Sequence, residues 1–168
     1  MPNGAQIHLM VNHLPIVGSL IGLLVLLAGF VLKNQSVRRT GVALLAFAAL
    51  TTLPAYFSGE EAEEVIEHLP GISEALIHDH EEAAELALAL LAGAGLLAAA
   101  TIGSVILKKE KWESKLQVLC LLVAVISFGV LANAGHLGGL IRHPEIRADF
   151  SQTAPMIEPS QSESEEHD

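Results

Sequence analysis

LPIVGSLIGLLVLLAGFVL, residues 14–32, decides the fold. It holds no charged residue, and a helix of roughly 20 apolar residues spans a bilayer core of ~30 Å. Three further stretches have the same character, at about 40–57, 86–107 and 116–141. A soluble domain would scatter its charges along the helices; here the charges are confined to the connections. The expectation is an all-α fold, a four-helix transmembrane bundle with a short external amphipathic helix and a polar C-terminal tail. Residues 1–150 form the membrane domain and 151–168 a separate acidic tail. No positive residue precedes the first stretch and no small-residue cleavage site follows it. It therefore reads as a retained anchor and not a signal peptide.

Charge sets the orientation. The 32–40 connection carries Lys33, Arg38 and Arg39, and the 107–116 connection carries Lys108, Lys109, Lys111 and Lys115, seven of the nine basic residues. Loops rich in Lys and Arg stay in the cytoplasm. Both termini and the 58–85 segment are then expected on the periplasmic side of a bacterial inner membrane. Ten acidic residues lie between Glu60 and Glu85 and seven between Glu145 and Asp168, giving most of the net charge of −10. Such a face is either simply solvated or able to dock a basic partner. Nothing basic is available for nucleic acid.

The external segment 59–85 has a pattern of its own. Gly59–Leu69 reads as a short helix, Pro70-Gly71 breaks it, and Ser73 is placed to cap a second helix. Leu76, Ile77, His80, Ala84, Ala87 and Leu88 make one helical stripe that runs on into the third crossing. Beyond Ser151 the tail is rich in Ser, Glu, Gln and Pro, a composition that orders only against a partner. The lone Cys120, inside an apolar run, excludes an internal disulfide and reads as a packing residue. No Cys-x-x-Cys-His haem-attachment motif exists.

The chemistry lies with the histidines, of which there are eight. The topology gathers most of them at one membrane face. His8 and His13 start the first crossing, His80 leads the third, and His136 and His143 close the fourth. An imidazole inside an apolar helix is costly unless paired or bound. His136, in Asn133-Ala134-Gly135-His136-Leu137-Gly138-Gly139, fits that description best, and its glycines leave room for a flat group. Paired imidazoles from facing helices are how a helical bundle holds b-type haem. His13, His80 and His136 are expected to face the bundle interior and ligate haem iron. His143 and His8 are the next candidates and could complete a second haem site. At ~100° per residue His8 and His13 point roughly 140° apart, so they serve different sites. His136 and His143 share a face if the helix continues, about 10.5 Å apart along it. His68, His78 and His167, in acidic hydrated segments, are expected to be free.

With these residues in view the chain resembles bacterial four-helix membrane proteins of the domain of unknown function 2231 family. The matching pieces are His8-Leu9-Met10-Val11-Asn12-His13-Leu14-Pro15-Ile16, Ser58-Gly59-Glu60, His80, and Gly138-Gly139 followed by His143. The resemblance implies four crossings with histidines at their outer ends. Fusion of relatives to Rieske or cytochrome modules implies membrane redox work. Leu9 stands where the family has proline, and His136 is additional. Three functions stay open: a haem b electron-relay subunit, working with other subunits of a redox complex or a periplasmic cytochrome; a cofactor-free structural subunit; and a His-based periplasmic-side Zn or Cu site. No nucleophile–base pair or phosphate loop points to an independent enzyme.

Overall fold

The computed structural model describes residues 3–69 and 71–148. The acidic tail and His167 lie outside these residues. Five helices follow in order: α1 (Gly4–Val11), α2 (His13–Val31), α3 (Gln35–Ile66), α4 (Glu74–Ile106) and α5 (Glu110–Arg142), then one 3-10 turn (Pro144–Ile146). Four stretches are long and apolar enough to cross a membrane: Gly4–Val31, Gln35–Ile66, Glu74–Ile106 and Glu110–Arg142. The chain is an all-α multi-pass bundle. The last three helices, of 32, 33 and 33 residues, are ~50 Å long and must project beyond a ~30 Å hydrocarbon layer.

Local sequence explains the breaks. α1 and α2 are one rod nicked at Asn12, because Pro15 has no N–H to donate to the Val11 carbonyl. Asn3 opens α1 with a full capping box to Gln6. Ser73 caps α4 through the Leu76 N–H, as its position predicted. α5 ends at Arg142 just before Pro144, and Arg147 folds back to donate to the Leu140 and Ile141 carbonyls, which the helix leaves open. One expectation is corrected. The short external helix is not separate: residues 59–66 are the unbroken end of α3, which also carries Pro54 inside it. No breaker stands at Gly59, and Ala62 continues the buried stripe of the crossing below it.

The four crossings pack as two hairpins, α2 against α3 and α4 against α5, with α3 also packed along α4 and α5 on α2. The hairpins repeat one another. Buried Pro15, Ser19, Gly22, Leu26 and Gly29 of α2 match buried Ala87, Leu91, Ala94, Ala98 and Thr101 of α4 at a constant offset. Buried Gly41, Leu45, Ala48, Thr52, Ala55 and Ala62 of α3 likewise match Cys120, Ala124, Ser127, Leu131, Ala134 and Ile141 of α5. The alternating spacings of four and three are those of left-handed helix packing and would align at any heptad shift. The histidine contact described below fixes the register. Both hairpins also turn through a left-handed lysine, Lys33 (φ 51°) and Lys108 (φ 54°). In both, the residue after that lysine donates back five positions, Asn34 to Gly29 and Lys109 to Ser104. These turns are alike in form but fall out of step with the core pairs, Gly29 matching Thr101 in the core and Ser104 in the turn.

Small residues allow the close approach. A Cβ on Gly41 would stand 2.6 Å from Leu26 Cα, and one on Gly95 2.7 Å from Ala49 Cβ. Cys120 is fully buried, as expected. At the basic end Glu113, 2 % exposed, accepts from Arg39 at 2.7 and 3.0 Å and from Gln117 at 3.1 Å, with Gln35 also bonded to it. This network ties α3 to α5 across the bundle.

Candidate functional site at the histidine end

Two imidazoles occupy equivalent places in the two hairpins. His8 Nδ1 lies 2.9 Å from the Ala55 carbonyl of α3, and His80 Nδ1 lies 2.8 Å from the Ala134 carbonyl of α5. Each ring also rests on a glycine one turn further along the same helix. A Cβ on Gly59 would meet His8 Cε1 at 3.3 Å, and one on Gly138 would meet His80 Cε1 at 3.2 Å. The offset between His8 and His80 is that of the α2 and α4 cores, so the contact and the core share one register. A carbonyl only accepts, so each Nδ1 carries the proton and donates it. That fixes the tautomer and leaves the Nε2 lone pair free. Both rings are half-buried. His80 and His13 lie near His8 at this end of the bundle.

The other histidines fall differently. His13 and His136, expected to face the interior, are exposed on the outer surface of the bundle. On α5 the buried face runs through Leu131 and Ala134, and His136 lies two residues on, about 200° away from Ala134. His143 is past the helix end, exposed, and bonded to Glu145 at 2.9 Å. It cannot share a helical face with His136, because Pro144 stops the helix first. Glu145 is held below the usual carboxylate range by its own backbone N–H and by His143. His68 and His78 are exposed beside Glu67 and Glu82 and line an open cleft with Glu63, Glu74 and Glu81. Among the described residues no three His, Cys, Asp or Glu side chains converge to hold a metal ion.

Sequence reasoning passed over the acceptors. The signal was present as Ala55-x-x-x-Gly59 and Ala134-x-x-x-Gly138, the same small-residue pair on the second helix of each hairpin. It passed over Asn12 as well, whose side-chain oxygen is buried without a hydrogen-bond partner.

The residues fit a bis-imidazole group in their chemistry. The two rings come from different hairpins, each donates from Nδ1 to a backbone carbonyl, and neither Nε2 has a hydrogen-bond partner among the described residues. Metal-ligating histidines are oriented by the same kind of bond. The site defines a class: a duplicated helical-hairpin membrane bundle with one anchored histidine per hairpin at a common end. No family model, no curated protein and no solved structure matches the chain.

Proposed function

We propose that this chain is a membrane-anchored b-type haem subunit that relays electrons at the periplasmic side of a bacterial inner membrane, within a redox complex or with a periplasmic cytochrome. The observation that carries this reading is the equivalence of His8 and His80: same register, same carbonyl bond, same glycine beneath the ring, same free Nε2. A helix pin alone needs only Nδ1; a pair of pins with both outer nitrogens kept free supports ligation. The ligand pair is thereby reassigned within the histidine set, from His13, His80 and His136 to His8 and His80.

When bound, haem b supplies a one-electron carrier. The protein residues do the rest. Ala55 and Ala134 hold each imidazole in its tautomer and raise its basicity. Gly59 and Gly138 leave room for the rings, because a Cβ at either would crowd the imidazole Cε1 at 3.3 and 3.2 Å. With His8 and His80 both holding it, the haem iron would keep no open position, so the role would be transfer and not oxygen chemistry. The basic residues at the opposite end support a periplasmic histidine end. The acidic surface formed by α3 beyond Gly59 and the start of α4 would attract a basic donor or acceptor. Lipid covers the apolar outer faces.

The test is a reduced-minus-oxidised absorption spectrum of the chain purified from a haem-sufficient host. A low-spin b-type signal is the expected result, and a haem-free preparation of the native complex overturns the reading. A cofactor-free structural subunit is the second reading. The observation favouring it is that the same two hydrogen bonds also staple each hairpin.

A further inference from the structure

At the basic end of the bundle the two turns use their cations differently. The arginines of the first turn are engaged within the protein. Arg38 donates to the Gly29 carbonyl and lies over the Phe30 ring at 4.1 Å, and Arg39 is paired with buried Glu113. The cations of the second turn are lysines. Lys108, Lys109, Lys111 and Lys115 are all exposed, and among the described residues none of them makes an ion pair. Two carboxylates stand nearby. Glu113 is taken by Arg39, and Glu110 lies about 140° round α5 from Lys115. The lysines are thus left as uncompensated positive charge.

These charges head a defined face. Lys111, Trp112 and Lys115 lie within an arc of about 100° on the first two turns of α5. Trp112 is the only tryptophan of the chain. It is 62 % exposed, and the Lys115 ammonium stands 5.6 Å from its ring centre. Leu119, Leu122 and Ile126 continue the same arc into the crossing, and all three are exposed. The buried residues Gln117, Cys120 and Ala124 lie on the opposite side of the helix, so no other helix of this chain covers the face. The first hairpin lacks the feature: by the register of the buried residues, Ser36 of α3 stands where α5 has Lys115.

We infer that this face binds an anionic phospholipid of the phosphatidylglycerol class, its phosphate at Lys111 and Lys115 and its acyl chains along Leu119, Leu122 and Ile126. Lysines just outside a crossing attract anionic headgroups, and an indole settles at headgroup level. From Lys115 to Ile126 the helix rises about 16 Å, which matches one leaflet of a ~30 Å core. A free phosphate would leave the apolar half of the face unused. A zwitterionic headgroup would bring its own cation against the lysines, with no carboxylate on the face to receive it. The site lies at the opposite end of the bundle from His8 and His80, so it goes beyond the haem reading and stands or falls separately.

A single tryptophan makes the site its own reporter. The full chain is reconstituted in phosphatidylcholine vesicles, and Trp112 fluorescence is quenched by lipids brominated high on the acyl chain, either phosphatidylglycerol or phosphatidylcholine, at equal mole fraction. The relative affinity at Trp112 should favour the anionic lipid by about fivefold or more. Lys111→Gln and Lys115→Gln, both at exposed positions that the fold tolerates, should each lower that preference by about fivefold. Lys33→Gln removes the same charge from the first turn and should leave the preference as in the native chain. Equal quenching by the two lipids in the native chain overturns the proposal. An equal loss in Lys33→Gln also overturns it, because the attraction would then belong to the whole basic end and not to this face. So does a Trp112 that neither brominated lipid quenches, which would put a second copy of the chain or another protein on the face.

Discussion

Replacing His80 with Asn separates the two jobs assigned to that ring. The Asn amide nitrogen occupies the place of Nδ1, 2.8 Å from the Ala134 carbonyl in the native chain, but nothing replaces Nε2. The magnitude follows from what the carbonyl already does. Ala134 lies within regular α5, so its oxygen also accepts from the N–H four residues on, and losing the histidine leaves no orphan acceptor. The interhelical bond is therefore worth about 0.6–1.7 kcal/mol, the range for polar contacts between membrane helices. His80→Asn should unfold within about 0.5 kcal/mol of the native chain, while His80→Ala, which also loses ring packing, should be less stable by about 1–2 kcal/mol. Both should lack the b-type spectrum. The repeat demands the same pattern from His8→Asn and His8→Ala. Denaturant unfolding in mixed micelles and difference spectroscopy on the same samples provide the readouts. A native haem spectrum in both Asn variants would refute the ligand pair. Unchanged stability in both Ala variants would refute the carbonyl bond as a tie between helices.

Other outcomes follow from the packing. With Cys120 replaced by Ser, a membrane-impermeant thiol reagent added outside intact cells should label Glu64→Cys, exposed beyond the crossing, and miss Ser36→Cys; the reverse would invert the topology. Gly41→Ala drives a methyl group to 2.6 Å from Leu26 Cα. Because that neighbour is backbone, the first hairpin should lose about 1–3 kcal/mol, and native stability in this variant would falsify the close approach of α2 and α3. Gln117 is fully buried, and its Oε1 has no partner. Gln117→Leu removes that orphan along with one bond to Glu113, so stability should change by less than about 1 kcal/mol; a large loss, read by the same unfolding assay, would show that Gln117 carries the network.

The sequence by itself determined the crossings, their number and the end at which histidines gather. Uninterrupted apolar length and the sorting of basic and acidic residues are one-dimensional properties, and the bilayer reads them directly. It determined local punctuation too: Ser73 as a cap and Pro144 as a stop both act within one turn. Only the tertiary structure decided which histidine faces where. In water an amphipathic stripe reveals the inner face of a helix. In lipid the outer face is as apolar as the inner one, and the pattern loses its meaning. Leu122 and Ile126 are exposed while Ser19, Thr52, Thr101 and Ser127 are buried, the reverse of what hydrophobicity alone indicates. His136, among its glycines, therefore read as interior and is exterior. His8, ranked behind it, holds the inner position because the azimuth of α1 is set by its packing on α3. The equivalence of His8 and His80 was hidden for a related reason. The paired contacts run through backbone carbonyls, which every residue has, so they leave no mark in the sequence beyond a small residue one turn away.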